Sequence, residues 1–223
     1  MRLPTIYSLA AVISLAAAGL IAAPDTTGLF KEGKDTTGDG KEDTWTYINN
    51  NSKIELIESD NNADGKADKW RYFTKEGVAT KTESDSDFDG TLDLWIIFDE
   101  AGNKIRTEKD ENNDGKLDQI QYFEPASGNL TKAEIASKKN GQYDTFVYYA
   151  EDGKTKARME QDSDGDGNIN VWTEYYLNGK MKQVGYDTKK TGKPNVWQTF
   201  KEDGSKDKAG FDTDGDGQPD KWQ

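Results

Sequence analysis

An apolar run opens about every 25 residues along this chain, at Trp45, Trp70, Trp95, Ile120, Phe146, Trp172, Trp197 and Trp222. Trp70-Arg71-Tyr72-Phe73 is typical, a short strand of aromatic and β-favouring residues. A turn with Gly at its end follows, as in Thr74-Lys75-Glu76-Gly77, Asp99-Glu100-Ala101-Gly102, Leu177-Asn178-Gly179 and Lys201-Glu202-Asp203-Gly204. A weaker return strand comes next, Val78 to Glu83 in the second copy, with Lys, Glu and Thr alternating among single apolar residues. The pattern predicts one β-hairpin per copy and no helix. The most helix-like piece, 129–139, fits a return strand followed by a broken loop.

Side chains alternate along a strand, so the Trp position and the residue two beyond it share one face. That face collects Trp45 with Tyr47, Trp70 with Tyr72, and Trp95 with Ile97. The residue three beyond points the other way and is also large and apolar, as at Ile48, Phe73, Phe98 and Phe123. No single copy can bury a core, so neighbours must stack. The expected fold is all-β: an elongated antiparallel β-hairpin repeat or β-solenoid-like sheet of eight 25–26-residue repeats over residues 35–223. A four-bladed propeller would need a 50-residue alternation, which the sequence lacks.

Between hairpins lies a polar loop with Gly at its sixth position: Gly40, Gly65, Gly90, Gly115, Gly141, Gly167, Gly192 and Gly217. Positions 1, 3, 5 and 9 hold oxygen-bearing side chains. They are Asp60, Asn62, Asp64 and Asp68 in the second copy, Asp85, Asp87, Asp89 and Asp93 in the third, and Asp110, Asn112, Asp114 and Asp118 in the fourth. The sixth offers Asp162, Asp164, Asp166 and Asn170, and the eighth Asp212, Asp214, Asp216 and Asp220. The first offers Asp35, Thr37, Asp39 and Asp43, with Thr a neutral and poorer ligand. Alternate side chains reach inward, a backbone carbonyl at position 7 adds an oxygen, and Gly permits the sharp turn, so the pattern suits Ca²⁺ at five or six sites. Oxygen-only ligands disfavour zinc and copper, and magnesium keeps its waters. Turn chemistry alone asks for one Asp or Asn, whereas clustered carboxylates repel one another without a cation.

Two copies lack the set. The fifth has Ala136 and Lys138 at positions 1 and 3, and the seventh has Lys189 and Thr191 in place of the middle carboxylates. There an ammonium is expected to neutralise its own loop. Glu58, Glu83, Glu108, Glu134 and Glu160 each stand two residues before a loop. They read as partners of a Lys or Arg on the adjacent strand, with an extra metal ligand as the alternative.

Composition narrows the function. Only 33% of the chain is apolar, but 6 Trp, 10 Tyr and 8 Phe argue against disorder. A formal charge of −13 argues against nucleic acid and anionic membranes and favours cations or basic partners. The absence of Cys and His removes disulfides, thiolate nucleophiles and the commonest general base. Residues 1–23, with Arg2 ahead of an Ala/Leu/Ile-rich run ending in small residues, read as a signal peptide cleaved near Pro24. Residues 24–34 read as a polar lead-in. The protein is expected to be secreted, at the cell surface or periplasmic, with no stable membrane insertion after cleavage.

The loops resemble EF-hand and thrombospondin type 3 calcium loops, which share the core Asp-x-Asp-x-Asp-Gly-x-x-Asp. The resemblance covers nine residues per copy and implies calcium, not a fold. An EF-hand has flanking helices and a Glu at position 12, where this chain has Arg71, Ile96, Gln121, Thr173 or Gln223; thrombospondin type 3 repeats have cysteines. Affinity should therefore be modest, about 10⁻⁴–10⁻³ M as in extracellular modules. The hairpins, as in Tyr175-Tyr176-Leu177-Asn178-Gly179-Lys180, are similar to MORN-type repeats, which form elongated runs of hairpins for protein or membrane interaction.

These readings converge on a secreted calcium-binding repeat protein with a structural, adhesive or surface-interaction role, not an enzyme. Its partners would be calcium and a protein or polysaccharide surface, with no nucleic acid. The alternative is a carbohydrate-binding module using the aromatic face, which requires exposed Trp rings.

Overall fold

The computed structural model describes residues 23–223; the segment read as a signal peptide lies, but for Ala23, outside the described residues. The chain forms β1 (Phe30–Lys34), β2 (Thr44–Ile48), β3 (Ile54–Ser59), β4 (Lys69–Phe73), β5 (Ala79–Ser84), β6 (Leu94–Phe98), β7 (Lys104–Lys109) and β8 (Gln119–Phe123). It continues through β9 (Leu130–Ile135), β10 (Thr145–Tyr149), β11 (Lys156–Gln161), β12 (Val171–Tyr175), β13 (Met181–Tyr186), β14 (Val196–Phe200), β15 (Lys206–Phe211) and β16 (Lys221–Trp222). All sixteen belong to one open antiparallel sheet in which spatial order equals sequence order. The expected hairpin repeat is therefore found, as a meander and not as a coiled or bladed arrangement. No helix occurs among the described residues. The polar lead-in contributes β1, a strand not assigned to it from the sequence.

One face is organised by two cross-strand rows. The first alternates rings with acids: Trp45 opposes Glu58, which opposes Trp70, then Glu83 and Trp95. The second alternates rings with cations or aliphatics, such as Tyr72 opposite Lys81 and Tyr122 opposite Lys132. Trp70, Tyr47 and Leu56 are buried together, with Ala67 and Leu92 from loop position 8 packed against them. A single layer has no second sheet to cover its face, so these loop side chains and long neighbours supply the cover.

Four of the five recurrent Glu residues pair with a cation on their own strand, two residues earlier, not across to the next strand as the sequence suggested, while Glu58 accepts from the Tyr47 hydroxyl. Lys81 lies 2.6 Å from Glu83, Arg106 2.5 Å from Glu108 and Lys132 2.7 Å from Glu134. Residues i and i+2 share a strand face, so a long cation can fold along the strand to reach the acid. The last two copies replace Glu by Gly185 and Gly210 where position 8 is Pro194 or Pro219. A Cβ at either glycine would press within 3.1 Å of the proline ring, so the proline occupies the place of the acid.

On the opposite face, small residues such as Thr82, Ala133, Val147 and Val184 are buried between larger neighbours. Each hairpin shifts register at the last residue of its first strand, as between Tyr72 and Phe73, which adds local twist. The hairpin turns stack along one long edge, where Asn49 Nδ2 donates to the Lys75 carbonyl and Asn129 Nδ2 to that of Glu151. The polar loops line the other edge. Successive loops are two strands apart, about 9–10 Å.

Candidate metal centre

Each loop is closed by its own backbone. The position 9 N–H donates to the carbonyl just before position 1, as from Asp68 to Ser59 at 2.9 Å and from Asp118 to Lys109 at 2.7 Å. The position 1 N–H then donates to the position 9 carbonyl of the preceding loop, as from Asp110 to Asp93 at 2.9 Å. These bonds recur in the fifth and seventh copies, so the frame does not depend on a full carboxylate set.

Side chains complete the frame. The position 1 carboxylate accepts from the Gly at position 6, as Asp60 from Gly65 and Asp85 from Gly90, both at 2.8 Å. The position 9 oxygen accepts from the position 2 N–H in all eight loops, for example from Thr36, Ser86 and Thr213. The Thr36, Ser86 and Thr213 hydroxyls donate to the same group. Position 2 is Ser or Thr in six loops, a capping signal that stands beside the more conspicuous pattern of acids. Position 4 has positive φ throughout: Ala63 62°, Phe88 65°, Asn113 57°, Lys139 51°, Lys190 56°, and Gly elsewhere.

In the second, third and fourth loops, positions 1 and 9 are buried while 3 and 5 are exposed. Carboxylates converge in three loops: Asp85, Asp87 and Asp93; Asp162, Asp164 and Asp166; and Asp212, Asp214 and Asp220. In each trio, ligand oxygens lie within 4.8 Å of one another, close enough to share one metal ion. Among the remaining proposed ligands, Asp89 accepts from Thr91, Asp216 from Gln218, and Asn170 from Ser163. No acidic trio converges in the first, second or fourth loop among the described residues. Asn62 and Asn112 take position 3 in the second and fourth, Thr37 in the first, and Asp39, Asp64 and Asp114 turn to the position 7 N–H.

The fourth loop shows a different sign. Asp110 and Asp118 are each 3% exposed, and each keeps one buried oxygen, Oδ1, without a hydrogen-bond donor. Their other oxygens accept from Gly115 and Glu111. A buried carboxylate oxygen without a partner costs stability unless a cation meets it. The residues present thus fit a hard cation.

Electrostatics differ from loop to loop. Burial pushes the Asp85 carboxyl above its ordinary range, against hydrogen bonds from Gly90, Phe88 and Asp89. The Thr36 hydroxyl, followed by loop N–H groups, holds Asp43 well below it. Asp164 and Asp166 are held low chiefly by Lys190, whose Nζ lies 2.9 and 2.8 Å from them. The ammonium paired with the sixth loop's carboxylates is therefore Lys190, from the following copy, and Lys138 Nζ of the preceding copy lies over Gly165 of the same loop. Lys189, expected to neutralise its own loop, instead donates its backbone N–H to Asp187.

No protein-family model matches the chain, and no curated protein matches it. Among solved structures, the accessory secretory protein 1,2 and 3 structure from Streptococcus pneumoniae aligns with 42% of this chain at 20% identity and TM-score 0.33. A mutant of S. aureus TarM, in complex with fondaparinux, alpha-GlcNAc-glycerol and UDP, aligns with 55% of it at 8% identity and TM-score 0.37. The chain spans 17% and 22% of the lengths of those two proteins.

Proposed function

We propose that this protein is an extracytoplasmic calcium-binding repeat scaffold, whose loops take Ca²⁺ along one edge of the sheet and stiffen the joints between hairpins. The observation that carries the reading is the pair of buried, donorless oxygens on Asp110 and Asp118. The three acidic trios extend it to neighbouring copies. Calcium is favoured over other metals because every candidate ligand is oxygen and the chain has no Cys or His. With no acid at position 12, the sites are of the weak, extracellular kind. The role is structural or adhesive, with a protein or polysaccharide surface as partner. No unique carboxylate pair stands apart from the repeats to suggest catalysis. Trp70 and Trp197 are buried, at 5% and 4% exposure, Trp45, Trp95 and Trp172 are partly buried and only Trp222 is exposed, which favours packing over a continuous sugar-stacking face.

The test is calcium stoichiometry by equilibrium dialysis, alongside Trp fluorescence and circular dichroism in chelator and in millimolar calcium. Several ions per chain and a fluorescence change are expected. No bound calcium and identical spectra would overturn the reading.

A further inference from the structure

We propose that position 4 of the fourth and seventh loops controls cation entry to the loop before it, and that Lys190 keeps the sixth loop closed with a tethered ammonium. The inference rests on the cation-binding reading above and adds a control element to it. Two contacts, three copies apart, have the same geometry. Asn113 Nδ2 donates to Asp87 Oδ2 at 3.0 Å and Asp89 Oδ2 at 2.7 Å, from the fourth loop into the third. Lys190 Nζ bridges Asp164 and Asp166, from the seventh loop into the sixth. In both cases position 4 of one copy meets positions 3 and 5 of the copy before. Asn113 and Lys190 share a positive φ, and the side chain of each reaches into the preceding loop. Lys139 follows the same direction, its Nζ 3.0 Å from Glu111 of the preceding loop.

The chemistry of the two side chains differs. An Asn amide has a carbonyl oxygen as well as its donors, so by turning over it can offer Oδ1 to a cation held beside Asp87. A Lys ammonium has three donors and no acceptor, so it can only compete. At the sixth loop a cation must displace a group that is covalently held beside the site and present at high effective concentration. Lys190 is 65% exposed, so the competition is one that calcium can win at sufficient concentration. The third loop is thus built to be assisted by its neighbour and the sixth to be opposed by its own.

The experiment is a calcium titration of the whole ¹⁵N-labelled protein, read at the position 6 amides of Gly90, Gly115 and Gly167. These report the third, fourth and sixth loops separately. Lys190→Gln removes two exposed contacts at once and should lower the calcium midpoint at Gly167 by about threefold to fivefold, leaving that at Gly115 unchanged. Lys190→Gly, the residue that three other copies have at this position, should do the same and keeps the left-handed backbone. Asn113→Lys should raise the Gly90 midpoint by about threefold to fivefold. If Gly115 titrates while Gly167 is indifferent to both Lys190 variants, the control by position 4 is wrong. If none of the three amides responds to millimolar calcium in the unaltered protein, the calcium reading itself fails.

Discussion

The backbone N–H of Asp85 donates to the carbonyl of Asp68 at 2.8 Å, tying the first position of the third loop to the ninth of the second. Both residues are buried. A cation that orders one end of this bond orders the other, so neighbouring loops should fill cooperatively. Asp85→Ala should weaken calcium at the second and fourth loops by about fivefold, although it removes a ligand only from the third. Amide shifts at Gly65 and Gly115 read this out, and unchanged midpoints would show that the loops act independently.

Asp110 is held as a buried acid with one oxygen unmet. Asp110→Asn removes the buried charge and leaves an acceptor for Gly115. In chelator the variant should be more stable than the parent by about 1 kcal/mol, and in calcium less stable by a similar amount. Thermal melts under the two conditions give the crossing. Loss of stability in both would mean that the carboxylate serves only as a loop cap.

Acid should destabilise the calcium-free protein in a definite window. Hydrogen bonds from Asn103 hold Asp99 below its ordinary value, and the Thr155 hydroxyl does the same for Asp152. A lowered folded value means stability that is present above the unfolded value, near 3.8, and is lost as pH falls through the folded one. Asp85 acts in the opposite sense: its raised value makes the charged form a burden at neutral pH that protonation relieves. Urea midpoints between pH 2 and 7 should therefore fall below about pH 4. The slope should flatten in Asp99→Ala with Asp152→Ala, and Asp85→Asn should gain stability only toward neutral pH.

Backbone strain at the loop tips can be measured directly. Phe88 combines φ of 65° with a ring 47% exposed. Phe88→Gly should stabilise by up to about 1 kcal/mol, since a left-handed residue with a side chain costs about 1–2 kcal/mol. Gly65→Ala should destabilise by about the latter amount. An added Cβ there meets nothing within 4 Å, so the backbone alone sets the cost. Equal effects at an exposed strand position would remove this explanation.

The two classes of ion pair should separate by burial. Glu108 is 2% exposed beside Arg106, whereas Lys182 and Glu174 are about half exposed. Glu108→Ala should cost about 3 kcal/mol and Lys182→Ala less than about 0.5 kcal/mol, by urea denaturation.

The period, the hairpins and the sharing of faces could be read from residues such as Trp70, Tyr72 and Gly77, because each follows from local alternation and turn chemistry. The role of Ser86, which caps Asp93, was also written locally, but it was hidden beside a louder pattern of acids. What could not be read was traffic between copies. That Lys190 reaches Asp164 depends on the spacing of stacked loops and on a left-handed backbone, which Ala63, Phe88 and Asn113 share without any common side chain. Likewise, the pairing of Glu83 with Lys81, two residues back, competes with a cross-strand partner, and sequence alone does not choose between them.

Because every strand among the described residues bonds only to its neighbours in sequence, the sheet has no topological lock. A pull on the two ends would peel strands away one at a time, like a zip, at modest and repeated force. A copy could be deleted or duplicated without rethreading anything. Each copy adds about 9–10 Å to the sheet, so the number of copies acts as a ruler.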